Sequence, residues 1–201
     1  MTPLVRLAAG AALAISLGAC SLGSMLGGGG KAPAVLYTLT PETPERTATV
    51  KRSAAGEAVT VEIPVIDKEL RTTRVPVQVS ETEVQYVADL TWVDTPDRLF
   101  KTLLSETIAR STSRVVLDPD QVALDPGLVL SGKLSRFGYD SATGEAVVRY
   151  EGMLAAPDGA HVETRMFESR VPADGTGPVT AVALNRAANQ VAIEVAGWIG
   201  G

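Results

Sequence analysis

The feature that most limits the fold is the stretch 128–171, where apolar and polar residues alternate in three successive passes. Leu128, Leu130, Gly132 and Leu134 share one parity. Phe137 has the other, which predicts a bulge near Ser135. Asp140-Ser141-Ala142-Thr143-Gly144 reads as a hairpin loop. The chain returns over 146–155 with Val148, Tyr150, Gly152 and Leu154 on one face. Pro157-Asp158-Gly159 marks a second tight turn, and 161–171 is the third strand. A period of two is the signature of a strand with one buried face, so this stretch is a three-strand meander.

Upstream the strand signals are shorter. Val35-Leu36-Tyr37-Thr38-Leu39 reads as a strand ended by Pro41, and 42–55 as a polar loop. Val59, Val61, Ile63 and Val65 alternate with polar residues, and Pro64 predicts an edge or a bulge. A turn region over 70–74 separates this run from Val75, Val77 and Val79. Val84, Tyr86, Ala88, Leu90 and Trp92 keep one parity, predicting a half-buried strand. Arg114 to Leu117 is a further strand.

Two helices are expected. Asp94 or Thr95 can cap the first, Pro96 suits its first turn, and Asp97 favours its positive end. Leu99, Phe100, Leu103, Leu104 and Ile108 form its apolar face, and it should stop near 111–113. The second covers 179–199, with Leu184, Ala188, Val191, Val195 and Trp198 on one face. Ala181, Ala183, Ala187 and Ala192 keep it slim enough to pack closely on a sheet. Strand–helix–strand over 84–117 predicts a right-handed crossover. The expected class is α/β, a single domain with a mixed sheet covered by two main helices. Hydrophobic residues are 45% of the 201 but aromatics only 4%, so the core should be aliphatic.

The N-terminus is of another kind. Arg6 precedes an apolar run from Leu7 to Ile15, and Leu17-Gly18-Ala19-Cys20 follows. This is the order of a secretory signal: basic, apolar, then small residues. The apolar run is too short to span a bilayer, which takes about 20 residues. Leu-Gly-Ala-Cys resembles a bacterial lipobox, in which the cysteine thiol after the cut carries a diacylglycerol. The division expected is a signal over 1–19, lipidated Cys20 and a tether over 20–34, and a domain over 35–201. Four consecutive glycines, 27–30, favour flexible coil. The tether has a mean reach of about 20 Å. A phosphate-binding loop is disfavoured: Lys31 is followed by Ala32, with no Ser or Thr and no apolar strand leading in. Two or three acyl chains on Cys20, through S-diacylglycerol and an N-acyl group such as palmitate, would hold the chain durably. Ser21, rather than Asp, after that cysteine points to the outer membrane.

Charge and inventory exclude several classes. Formal charge is −5; once Arg6 leaves with the signal, 17 basic residues face 23 acidic ones. That balance argues against nucleic acid as a partner and against a polybasic patch for anionic headgroups. Cys20 is the only cysteine, so no intrachain disulfide can form. His161 is the only histidine and follows a turn, the place of a solvated residue. With one histidine, no metal cluster and no Gly-x-Ser-x-Gly elbow, the expectation is no enzyme, no metal and no cofactor beyond the lipid. Asp118, Asp120 and Asp125 make an acidic loop without calcium-loop spacing. Glu81 and Glu83 read as surface. Trp92 and Trp198 sit at amphipathic positions, so core is the plain reading; with Tyr86 they are also the candidate partner-binding residues.

The arrangement resembles the ABC-type transport auxiliary lipoproteins, which accompany transporters with mammalian-cell-entry (MCE) domains, the paraquat-inducible system among them. The resemblance is carried by the lipobox at 17–20, Leu36-Tyr37-Thr38-Leu39, Leu70-Arg71-Thr72-Thr73-Arg74-Val75 and Tyr86-Val87-Ala88-Asp89-Leu90-Thr91-Trp92. The helix from Pro96 to Ile108, the strand from Leu130 to Phe137 and the Ala-rich terminal helix complete it. It covers nearly all of the chain after the signal. It implies a non-catalytic lipoprotein on the periplasmic face of the outer membrane that docks an MCE conduit there. An inner-membrane ATPase and permease would drive phospholipid movement. Homo-oligomers are implied by a ring-shaped partner. The alternative is a periplasmic lipoprotein that itself binds a lipid or solute, which calls for a closed apolar cavity.

Overall fold

A computed structural model describes residues 35–45, 51–52, 56–119, 126–156, 158–159 and 161–200. Cys20, the tether, Asp120 and Asp125 lie outside them. The spine is a 13-residue strand, β6 (Leu128–Asp140), paired along both edges. On one edge it runs antiparallel to β7 (Glu145–Ala155), which runs antiparallel to β8 (Val162–Pro172). This is the expected meander. Gly144 N–H donates to Asp140 O at 2.9 Å to close the first turn. The register shifts between Leu134 and Arg136, so Ser135 is the bulge that moves Phe137 onto the buried side.

The other edge of β6 is covered by three short strands in succession, all parallel to it: β1 (Val59–Val61), β2 (Val65–Ile66) and β3 (Arg74–Gln78). The expected continuous strand through Val65 is therefore interrupted around Pro64, which has no N–H to give a ladder. A 3-10 turn over Lys68–Leu70 follows. β5 (Val116–Leu117) lies parallel to β1, outside it, and β4 (Val84–Thr91) lies antiparallel to β3. Eight strands thus form one mixed sheet.

Three expectations are corrected here. Val35–Leu39 is not a strand; Tyr37 makes a single parallel bridge to Trp92. β4 does not keep one parity: Arg74 faces Thr91 and Pro76 faces Tyr86, so Val75 alone stands opposite four residues, 87–90. Asp89 takes a left-handed φ of +54° in that bulge, Val87 turns into the core and Ala88 is exposed. The crossover rule does not apply over 84–117, because β4 and β5 run in opposite senses and do not pair.

α1 (Pro96–Ser111) begins and ends where expected. Its cap differs: the Thr95 carbonyl accepts from Arg98 and Leu99 N–H at 3.1 Å each, while its hydroxyl makes no capping bond. The Asp94 carboxylate instead accepts from Thr95 N–H at 2.7 Å. α2 (Gly177–Gly200) starts two residues before its predicted bound, with Pro178 in the first turn, where a missing N–H costs nothing. It lies over β7 and β8, and α1 packs beside it near β1 and β5. The alanines of α2 are buried, so the helix sits close to the sheet. Between them Phe100 and Tyr150 meet edge to face at 5.3 Å. Burial pushes the Tyr150 hydroxyl well above the usual tyrosine range, and it donates to Ser131 O at 2.8 Å. Among the described residues no helix covers the opposite face of the sheet.

Candidate functional site

Among the described residues one face of the sheet carries the helices, and the first described segment is strapped across them. Tyr37 N–H donates to Thr91 O, and Val93 N–H donates to Tyr37 O. Asn185 Oδ1 accepts from Thr40 N–H at 2.8 Å. Asn189, fully buried, accepts from Glu42 N–H at 2.7 Å and donates to Thr40 O at 2.9 Å. Arg110, in the last turn of α1, donates to Thr43 O at 3.1 Å. The segment therefore runs from the start of α1 towards its end. At Tyr37 its backbone groups bridge to the end of β4; from Thr40 to Thr43 they are met by side chains of α1 and α2.

The C-terminal ends of both helices meet at one pole. Lys51 Nζ donates to the carbonyls of Ala109, Thr112 and Arg114. Arg114 Nε donates to Ile199 O at 2.8 Å. Cations there satisfy carbonyls that have no partner within a helix and oppose the negative end of each dipole. Neither these two residues nor the asparagines stand out in the sequence as functional. Asn185 and Asn189 carry the one available signal, two poor helix formers four residues apart in an Ala-rich helix.

The three candidate aromatic residues do not converge. Trp92 is 1% exposed, edge to face with Tyr37 at 6.5 Å and Phe137 at 5.7 Å. It is core, which corrects its reading as a partner-binding residue: a side chain without exposed area has none to offer. Tyr86 is half-buried under the Arg74 guanidinium, 4.3 Å from its ring centre. Trp198 is half-buried on Phe167 at 5.5 Å and donates from Nε1 to Glu163 Oε1 at 2.9 Å.

The uncovered face divides into two halves. Near the β6–β7 hairpin it is charged: Arg149 and Arg170 both bind Glu168, and Arg170 also reaches Glu145 at 3.3 Å. Burial works to raise Glu168, but the hydrogen bonds from Arg149 and Arg170 outweigh it and hold its carboxyl below the usual range. Arg136 pairs with Asp140 at 3.2 Å beside them. In the other half Met153, Val162 and Met166 are exposed. Lys133 and Asp67 pair there at 2.9 Å, which raises the lysine.

His161 is exposed beside Glu163, at 3.8 Å. Asp118 pairs with Lys101 at 3.2 Å. Among the described residues no group of three His, Cys, Asp or Glu side chains is placed to hold a metal, and no helix is long and apolar enough to cross a membrane. An apolar depression of about 410 Å³ lies between the end of β8 and the start of α2, lined by Val171, Pro172, Val179 and Val182. Val179 and Val182 are themselves exposed, so it is an open groove.

The described body is thus a mixed sheet with two helices on one face and a strap over those helices. The chain belongs to the ABC-type transport auxiliary lipoprotein component family, which it matches over residues 37–196. Among solved structures it is similar to protein XCC0632 from Xanthomonas campestris, a DUF330 protein. The two are 20% identical with a TM-score of 0.69, over 83% of this chain and 95% of that one. A second, uncharacterised protein is 15% identical with a TM-score of 0.62, over 82% of this chain and 99% of its own. These two likenesses are of fold. No curated protein matches the chain.

Proposed function

We propose that this auxiliary lipoprotein is a non-catalytic adaptor, anchored through acylated Cys20 on the periplasmic face of the outer membrane. There it docks the MCE-domain conduit of an ABC system that moves phospholipid between the two membranes. The observation that carries the reading is the family match, which spans the strapped body from Tyr37 to Ala196. The lipobox and Ser21 support the anchor and its address. The partners are the MCE-domain protein and, through it, the permease and ATPase. No cofactor enters the proposal apart from the acyl groups on Cys20. A lipid- or solute-binding role calls for an enclosed apolar site, and the groove between β8 and α2 is open along Val179 and Val182. The test is recovery of the tagged full chain from crosslinked, solubilised envelopes. An MCE-domain protein should come with it; repeated recovery without one overturns the docking role.

A further inference from the structure

β8 is a long strand at the rim of the sheet. Among the described residues it pairs with β7 alone, so along its other edge eleven residues present no ladder. Such an edge is a template for another strand unless something blunts it. Proline stands only at its end, Pro172, and no bulge interrupts its pairing with β7. Charged side chains can also blunt an edge, and β8 has them, but their order is unusual.

The five residues that open the strand, 162–166, are all exposed and read Val-Glu-Thr-Arg-Met. Read backwards with the charges exchanged, the order is the same: apolar, charged, threonine, oppositely charged, apolar. A copy of this segment laid antiparallel and centred on Thr164 would place Val162 against Met166 and Glu163 against Arg165. Thr164 would meet itself, and the remaining pairs would repeat by symmetry. Every opposed pair would then be favourable: two apolar pairs on the uncovered face, two ion pairs on the helix side, and a threonine pair at the centre. Parity is kept, so the uncovered faces of both sheets stay on one side.

The surroundings fit that contact. Val162 and Met166 are 56% and 63% exposed, a large apolar area for one short stretch of rim. Met153 lies opposite Thr164 on β7 and extends the apolar strip inward. Trp198 holds Glu163 in place from α2. On the α2 flank that borders β8, where Gln190 bonds Ser169, Ile193 is exposed as well.

We infer that β8 is a self-pairing edge: two copies of this chain join antiparallel through 162–166, about a two-fold axis at Thr164, to make one continuous sheet. The contact is isologous, so each copy offers the same surface. It is short, and its strength would draw on confinement of both copies to one membrane, which raises their effective concentration. The inference does not depend on which transport partner the chain docks.

The test uses variants of the full chain with one added cysteine, in its own envelope, treated with a mild oxidant and read on a non-reducing gel. The parent chain is the control for Cys20. Thr164→Cys brings its own copy within disulfide reach. Met166→Cys does not, because its copy lies four residues along the strand, about 13 Å away. The expected result is a disulfide dimer with Thr164→Cys and none with Met166→Cys. In the Thr164→Cys background, Glu163→Arg or Arg165→Glu alone should abolish the dimer, and the two together should restore it. No dimer with Thr164→Cys, an equal yield with Met166→Cys, or a double exchange that stays monomeric overturns the inference.

Discussion

The two edges of β6 differ. One carries a single antiparallel partner from Val129 to Asp140, with one bulge at Ser135, and continues into β8. The other carries three parallel fragments separated by a proline break and a 3-10 turn. The continuous side is made of local hairpins, in which each strand's place follows from the turn before it. The fragmented side is assembled from distant pieces. Val59 pairs with Leu128, Val77 with Tyr139, and the β4 bulge is held from outside by α2: a side-chain carbon on Gly177 would stand 3.0 Å from Asp89 O. The continuous side carries α2 and ends, among the described residues, in an unpaired rim, whereas the fragmented side carries α1 and the bridge from Tyr37.

Breaking what both sides share should cost most. Phe100 is fully buried and leans on Tyr150 of β7 from α1. Phe100→Ala is expected to lower unfolding free energy by about 3–5 kcal/mol in denaturant titration. A loss below 1 kcal/mol would mean the helix layer is not packed as described.

Next comes the continuous side alone. Gly132 has a φ of +155°, and a Cβ there would meet Glu151 O at 2.2 Å and the Tyr150 hydroxyl at 2.8 Å. Gly132→Ala should cost about 2–3 kcal/mol through strain and overpacking. The same change at Gly144, in the exposed hairpin loop, meets nothing nearer than 3.8 Å but carries a φ of +70°. It should cost about 1 kcal/mol. Equal losses at the two sites would deny that β6 and β7 approach this closely.

The strap on the helix layer is tested by Asn189→Ala. It removes one acceptor and one donor from the backbone of Glu42 and Thr40, for about 1–3 kcal/mol. Amide exchange should speed up at Glu42. If protection there is unchanged, the strap is held by something else.

The smallest effect belongs to the charged half of the uncovered face. Glu168 is held below its ordinary range by Arg149 and Arg170. Its contribution is therefore present above the ordinary glutamate pKa and is lost as pH falls through the depressed folded value. Glu168→Gln should cost about 0.5–1 kcal/mol near neutrality, and the gap to the parent should close in acid. A gap that persists at low pH would mean the residue acts by packing.

This contrast also explains what could be read from the chain. The meander was legible because its period and its turns are local, down to the parity change from Leu134 to Phe137 that places the Ser135 bulge. The boundaries of α1 were legible for the same reason. β4 was not: Val84 to Trp92 alternates except at Val87, and nothing local shows that Asp89 breaks the run against residues some ninety positions away. The sense of β4 follows from the tight return at Val79 and Glu83 (N–H to O, 3.0 Å), which makes it a hairpin partner of β3 rather than the start of a crossover. The segment around Tyr37 looks like a strand, but it makes one bridge, at Tyr37, and beyond it the partners of Thr40 and Glu42 are two asparagine side chains that alternation cannot reveal. Of the aromatic candidates, Trp198 and Tyr86 keep some surface, and Trp92 serves the core.

The account rests on a folded adaptor body held to the outer membrane by one modified cysteine. The most direct measurement is fractionation of cells carrying Cys20→Ala, together with the melting temperature of the recovered protein. The account predicts a body that melts as the parent does, leaves the membrane fraction and no longer brings an MCE-domain protein to the outer membrane. A variant that stays with the outer membrane would contradict it.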